Sequence, residues 1–424
     1  MPEPRPLRVV PDEAATPAPD PTRRIWALGI GAFGLAWSIT TVAAYVPPLL
    51  ENLTRSTTLV GLVLAAEGGF AIVLPLLVGP LSDATQTPLG RRRPYMLLAL
   101  LPMAATLSVV PFMPSFWTMA LALFGFFFAY YVYEPPYRGL YPDLLPDAVF
   151  GKAQGVQHLF RGAAIGGALV GGGFLLAVWK GYPFVFASLV TLFSCGSVVL
   201  LVREDLLFER SYRRLRSFFA APWRIIRGNR TVRRWLVANT AWEATFAGMR
   251  TFVVLYIVEG LRQPLYVSSV VLAVVAVGYV LAALLAGRFA DEFGLGRVIL
   301  GASVVYGGSL LVASFAERWH WWYVALIAPA AVAGGTVMTL AWGLLFKVMP
   351  ARDQGVIAGL GITTKGLGLL IGPLAVGATI DIFHPLLKST EGYAAVWPTV
   401  AIPVLAVIPL VALLHEEELR SSPG

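Results

Sequence analysis

Gly79-Pro80-Leu81-Ser82-Asp83 closes one long apolar run, and Gly90-Arg91-Arg92-Arg93-Pro94 opens the next. Only Ala84 to Leu89 separate them. Two stretches that can each cross a bilayer, joined by a short basic hinge, read as a helical hairpin whose loop lies at a membrane face. Upstream, no charged side chain occurs between Arg24 and Glu51, and downstream none occurs between Pro94 and Glu134. A backbone in hydrocarbon must satisfy its own polar groups, so such runs are expected to be helices.

The rest of the chain follows this pattern. Its 424 residues are 57% hydrophobic and 13% charged, whereas a soluble domain carries about 25% charged residues. This excludes a disordered chain, a secreted disulfide scaffold and an ordinary soluble enzyme, and leaves a polytopic helical membrane protein. The single cysteine, Cys195, allows no intrachain disulfide and no multi-cysteine metal site. A net charge of +8 would suit nucleic acid. The arginines lie beside apolar spans, however, where the positive-inside rule accounts for them, and no nucleic-acid partner is expected.

Twelve apolar windows are found, near 25–49, 57–81, 94–113, 116–138, 150–178, 182–202, 235–258, 264–287, 297–315, 320–346, 354–380 and 394–414. The longest polar stretch, 203–234, holds ten arginines against Glu204, Asp205 and Glu209. It separates an expected six-helix bundle at 25–202 from a second at 235–414. It reads either as a solvated linker or as an amphipathic helix on anionic lipid, through Phe218, Phe219, Trp223 and Ile226. Residues 1–24, rich in proline and without a signal-peptide pattern, read as a disordered tail, and 415–424 as a second tail. With both tails inside, the cytoplasmic segments hold 24 of the 32 Lys and Arg and the outer loops five. Both termini are therefore expected in the cytoplasm.

The two halves repeat. The fifth and eleventh spans match at a constant offset of 204, pairing Pro146 with Pro350, Gly151 with Gly355, Gly155 with Gly359, Arg161 with Lys365 and Gly162 with Gly366. The expected fold is all-α, with twelve transmembrane helices in two pseudo-twofold-related six-helix bundles. Parallel repeats of this kind build secondary transporters with a solute site between them near the midplane.

The segments quoted at the outset resemble the loop signature of the major facilitator superfamily, with a weaker copy at Gly287-Arg288-Phe289-Ala290-Asp291 and Arg297. Their narrower form resembles the plant sucrose/proton symporters and the glycoside–pentoside–hexuronide cation symporter group. Pro136-Tyr137-Arg138-Gly139-Leu140-Tyr141-Pro142-Asp143-Leu144 is similar to a run at the end of the fourth span of those symporters. The resemblance implies a monomeric carrier in a bacterial inner membrane that moves a sugar or glycoside together with a proton or other cation, without a cofactor. It further implies gating roles for Asp83, Arg91, Arg92 and Arg93, with Asp291 and Arg297 as counterparts. Asp83 would cap a neighbouring helix and hold the cytoplasmic side shut. Alternatively, the three arginines only set topology. Those symporters carry an aspartate eleven residues before the arginine of the fourth span, and here that position is Phe127.

Charges within membrane spans are costly and mark functional sites by default. Three acids and four bases qualify: Glu67, Glu134 and Glu243, with Arg138, Arg161, Arg250 and Lys365. Their surplus of positive charge would also suit an anionic solute. Glu67, with no cation within eleven residues along the chain, is the first candidate for proton coupling, and Glu243 the second. Helical spacing places Phe127, Tyr130, Glu134 and Arg138 on one face; Gln154, Gln157, His158 and Arg161 on another; and Asn239, Glu243 and Arg250 on a third, flanked by Trp242 and Phe246. Trp37, Ser38, Thr41 and Tyr45 form a fourth. Pro136 is expected to weaken the helix between Glu134 and Arg138. The candidate solute-binding residues are Trp37, Thr41, Tyr130, Glu134, Arg138, His158, Arg161, Trp242, Arg250 and Lys365. Aromatic rings beside hydroxyl, amide and charged groups suit a sugar. Gly162, Gly166, Gly167 and Gly171 read as a close-packing face. The sequence contains no phosphate-binding glycine loop with lysine, no metal-ligand cluster and no nucleophile motif, so neither an enzyme nor ATP-driven transport is expected. A drug or metabolite exporter on the same scaffold is the alternative.

Overall fold

A computed structural model describes residues 21–145, 149–202, 204, 226–348 and 354–421. The expected N-tail to residue 20, most of the linker with Phe218, Phe219 and Trp223, and the Pro146–Pro350 match lie outside the described residues.

The chain folds as α1 (Pro21–Glu51), α2 (Thr57–Ala84), α3 (Arg93–Val109), α4 (Phe116–Leu144), α5 (Phe150–Val178), α6 (Tyr182–Leu201), α7 (Arg230–Leu255), α8 (Leu265–Phe293), α9 (Leu295–Ala313), α10 (Val324–Val348), α11 (Gln354–Phe383), α12 (Val396–Ala406) and α13 (Ile408–Ser421). These elements supply twelve helices long and apolar enough to cross a membrane, the last formed by α12 and α13 together. Among the described residues there is no β-strand.

Local chemistry sets the ends. Ser56 caps α2 by accepting from the Leu59 N–H, Ser115 and Thr118 form a capping box at α4, and Asn229 caps α7 through the Val232 N–H. α1, α2 and α4 run past their apolar windows, since polar residues at a membrane face extend a helix without entering lipid. α4 continues through Pro135 and Pro136 to Leu144, so Pro136 does not break it. The twelfth span is interrupted at Val407, where Pro409 removes an N–H and crowds the preceding turn. Leu98, Leu101, Leu121 and Phe193 are largely exposed on the bundle surface, as lipid-facing residues are.

Helix pairing repeats between the halves. In the first six helices, α1 packs on α5 and α6, α3 on α4 and α6, and α2 on α4. In the second set, α7 packs on α11 and α12, α9 on α10 and α12, and α8 on α10. Each pairing recurs six helices later. Between the sets, α2 packs on α11, α5 on α8 and α1 on α7. The α2–α11 contact is the most intimate: a Cβ at Gly61 would run into the Pro373 carbonyl, and one at Gly68 into the Gly366 carbonyl. Small residues at a crossing let backbones approach this closely.

The expected glycine face on α5 is corrected in part. An added Cβ at Gly162, Gly166 or Gly171 would meet nothing within 4 Å, whereas Gly167 does lie in close contact, under the Trp37 ring. The further contacts are at Gly172 and Gly173, against Tyr45 and Ser269. The orientation of α5 is set by α1 and α8, which the glycine spacing alone does not reveal.

Candidate functional site

At the end of the bundle where α1 begins and α13 finishes, the 84–92 loop is tied to its own half. Asp83 pairs with Arg92 at 2.9 Å, and Arg92 and Arg91 both pair with Asp143 of α4. The Arg92 guanidinium lies over Gly139, where a Cβ would collide with it. Glu204, just beyond α6, accepts from the backbone N–H groups of Arg91 (2.9 Å), Arg92 (3.0 Å) and Arg93 (3.0 Å). An acid at the α3 N-terminus satisfies its free donors and complements its dipole. Gly90 makes this possible, with φ at +101° and its α-carbon against the Glu204 side chain. Arg93 donates to the Val199 carbonyl at 2.8 Å.

The second half builds the same device from other residues. Glu418 accepts from the Gly296 N–H at the start of α9 (2.7 Å) and from Lys347 (2.8 Å). Asp291 and Arg297 are exposed and make no ion pair among the described residues. Asp143, Glu204 and Glu418 were not singled out from sequence. Their one legible signal is position: Asp143 lies in the quoted Pro136–Leu144 run, one residue from its end, while Glu204 and Glu418 follow the sixth span and end the twelfth. Among the described residues, Asp83 pairs with Arg92 and is not seen to cap a helix of the other half.

The opposite end joins the two halves. Asp381 of α11 accepts from Ser56 Oγ (2.7 Å), Thr57 N (3.0 Å), Thr57 Oγ1 (2.7 Å) and Thr58 N (2.9 Å) at the start of α2. Tyr393 donates to Glu51 of α1. Among the described residues, every ion pair at the terminal end stays within one half.

Midway along the helices the charged residues converge. Glu67, only 6% exposed, pairs with Arg250 of α7 at 2.9 Å and accepts from Tyr131 OH at 3.3 Å. The acid without a cation nearby in sequence thus has one in space. Arg250 belongs to Glu67 and not to Glu243 on its own helix. Arg138 donates to Glu134 at 2.7 Å, and its side chain remains 49% exposed. Lys365 lies within electrostatic reach of Arg161, Glu134, Arg138 and Glu243. Glu243 is buried against α11 at Gly368, with Lys365, Arg161 and Arg250 in reach. His158 is exposed one turn before Arg161.

The aromatic candidates divide. Tyr130 is buried within reach of Glu134, Arg161 and Arg138. Tyr133 and Tyr137 are structural, donating to the carbonyls of Cys195 (2.8 Å) and Leu28 (2.6 Å). Phe127 is fully buried beside Phe126 and Phe70. The α1 face is packed rather than open in this conformation: Ser38 and Thr41 are buried, Tyr45 donates to Leu169 O, and the half-buried Trp37 packs among Phe33, Phe186 and Gly167. Trp242 is fully buried, and its Nε1–H has no partner among the described residues. Tyr279 of α8 was missed from sequence. Its buried hydroxyl has no partner among the described residues, its ring meets Phe246, and it lies within reach of Glu243.

The family model described as Major Facilitator Superfamily matches residues 27–416. No curated protein matches the sequence. Among solved structures, a mutant of the nucleoside transporter NupG superposes with a TM-score of 0.76 at 14% identity, covering 93% of this chain and 100% of that one. A bacterial homologue of the human lysosomal transporter Spinster, in an inward-facing and unoccupied conformation, gives 0.75 at 14%, covering 96% and 99%. A structure described under substrate recognition in proton-dependent oligopeptide transporters gives 0.74 at 12%, covering 95% and 100%. At these identities the likeness establishes the fold.

Proposed function

The chain belongs to the Major Facilitator Superfamily, and from that premise we propose that it is a proton-coupled secondary transporter of a sugar or glycoside, working by alternating access. Its moving units are the bundles 25–202 and 235–414. With the termini in the cytoplasm, contacts between halves at the far end and their absence among the described ion pairs at the terminal end describe an inward-facing state.

The observation that carries proton coupling is the Glu67–Arg250 pair at 2.9 Å, which ties α2 of one half to α7 of the other. An ion pair between halves exists only while Glu67 is ionised. A proton on Glu67 dissolves it, so proton loading changes the tie between the moving units, as coupling requires. Phe127 offers no such chemistry at the position where the sugar symporters carry an aspartate. Support for a sugar comes from the Pro136–Leu144 run: Arg138 is oriented by Glu134 yet half exposed, leaving guanidinium N–H groups for solute hydroxyls.

The test is uptake of labelled sucrose, maltose and related glycosides into proteoliposomes, with and without an imposed pH gradient. Accumulation against a solute gradient only when the pH gradient is present is the expected result. Uptake indifferent to the pH gradient overturns proton coupling, and transport of none of the glycosides overturns the sugar assignment.

A further inference from the structure

The mid-membrane charges do not balance. Glu67 is taken by Arg250 at 2.9 Å and Glu134 by Arg138 at 2.7 Å. Arg161, Lys365 and Glu243 remain, and none of the three makes a hydrogen bond or contact ion pair among the described residues. Both leftover bases are partly exposed, and they lie within electrostatic reach of one another. Glu243 offsets one positive charge and leaves the other.

The two bases occupy equivalent places. Arg161 is on α5 and Lys365 on α11, at the 204-residue offset that relates those spans. α5 and α11 belong to different halves and pack on equivalent partners, α1 and α8 for one, α7 and α2 for the other. A group held by both side chains would therefore contact both moving units. Two cations kept in reach of each other in a poorly solvated interior repel, and an anion placed between them removes that cost. A permanent structural role would give each base a carboxylate or carbonyl partner, as Arg250, Arg138, Arg92 and Arg93 all have.

We infer that the transported solute carries a carboxylate or phosphate group, bound jointly by Arg161 and Lys365. This rests on the transporter reading above and narrows its solute to acidic members. Arg161 supplies a planar pair of donors, and Lys365 a point charge. His158, one turn before Arg161, is placed to add a further donor.

The experiment is ligand binding to the purified full-length protein at low salt, followed by intrinsic tryptophan fluorescence. The probes are glucose, glucuronate and glucose 6-phosphate, together with the non-sugar pair succinate and succinamide. In the unmodified protein, glucuronate or glucose 6-phosphate is expected to bind at least about tenfold more tightly than glucose, and the stronger of the two identifies the anion. Arg161→Gln and Lys365→Gln should each reduce this preference to near unity, with Arg161→Lys retaining part of it. Glucose binding as tightly as both sugar anions overturns the inference and leaves the sugar reading standing. Succinate binding with the same Arg161 dependence, while no sugar binds, upholds the inference and overturns the sugar reading. If none of the probes binds, both fall. The comparison among ligands in the unmodified protein requires no variant to fold.

Discussion

Asp381, near the end of α11, accepts from both the backbone N–H and the hydroxyl of Thr57 at the start of α2, at 3.0 and 2.7 Å. An acid of the second half thus caps a helix of the first. Adding Ser56 and Thr58, four donors converge on one carboxylate. A carboxylate has enough lone pairs for four bonds, whereas an amide oxygen has two. Opening this end of the carrier must break them all.

Asp381→Ala should therefore shift the population toward the conformation open at this end by about ten- to a hundredfold, taking charge-assisted bonds at ~1.5–3 kcal/mol. Asp381→Asn should shift it less. Spin or fluorophore labels at cysteines replacing Thr54 and Lys388 would report the distance between halves, since the native Cys195 is buried and slow to label. An unchanged distance distribution in the alanine variant would remove Asp381 from the latch.

Glu67→Gln keeps the shape of the side chain and its bond to Tyr131 but ends the ion pair with Arg250. It should abolish accumulation driven by a pH gradient while leaving solute exchange across the membrane intact. Normal pH-dependent accumulation in this variant would move the coupling role to Glu243.

Glu204→Ala removes the acceptor for three backbone N–H groups at the start of α3. It should destabilise the protein by about 1–2 kcal/mol, the cost of a lost helix cap. Asp83 is 51% exposed, and its partner Arg92 is also held by Asp143. Asp83→Asn should therefore cost less than about 1 kcal/mol in stability, while slowing turnover if the gate reading holds. Thermal unfolding in detergent, run beside transport, separates the two effects. Equal melting temperatures for both variants would contradict the capping role of Glu204.

Gly68→Ala and Gly69→Ala form a matched pair. A Cβ at Gly68 meets the Gly366 carbonyl and the Leu370 backbone, whereas one at Gly69 meets nothing within 4 Å. The first should push α2 from α11 and cut transport sharply. The second should leave transport near the unmodified level. Similar rates for the two would mean that the close crossing is not needed in the cycle.

The residues alone determined the twelve spans and the repeat at an offset of 204. Each of these depends on local hydropathy or on periodicity along one chain. The charged positions inside the spans were also legible, because lipid makes them rare. Their partners were not. Glu67 and Arg250 lie 183 residues apart, and Asp381 and Thr57 lie 324 apart. Helical spacing shows which residues share a face, as for Glu134 and Arg138, but not which helix that face meets. In a bilayer every outer surface is apolar, so hydrophobicity does not separate a lipid-facing stripe from one packed on a neighbour. The tertiary fold made that choice by bringing Gly68 to Gly366 and turning Gly162 and Gly166 away from close contact. The same packing pairs Glu67 and Glu134 with arginines and, among the described residues, leaves Arg161 and Lys365 without a carboxylate in contact.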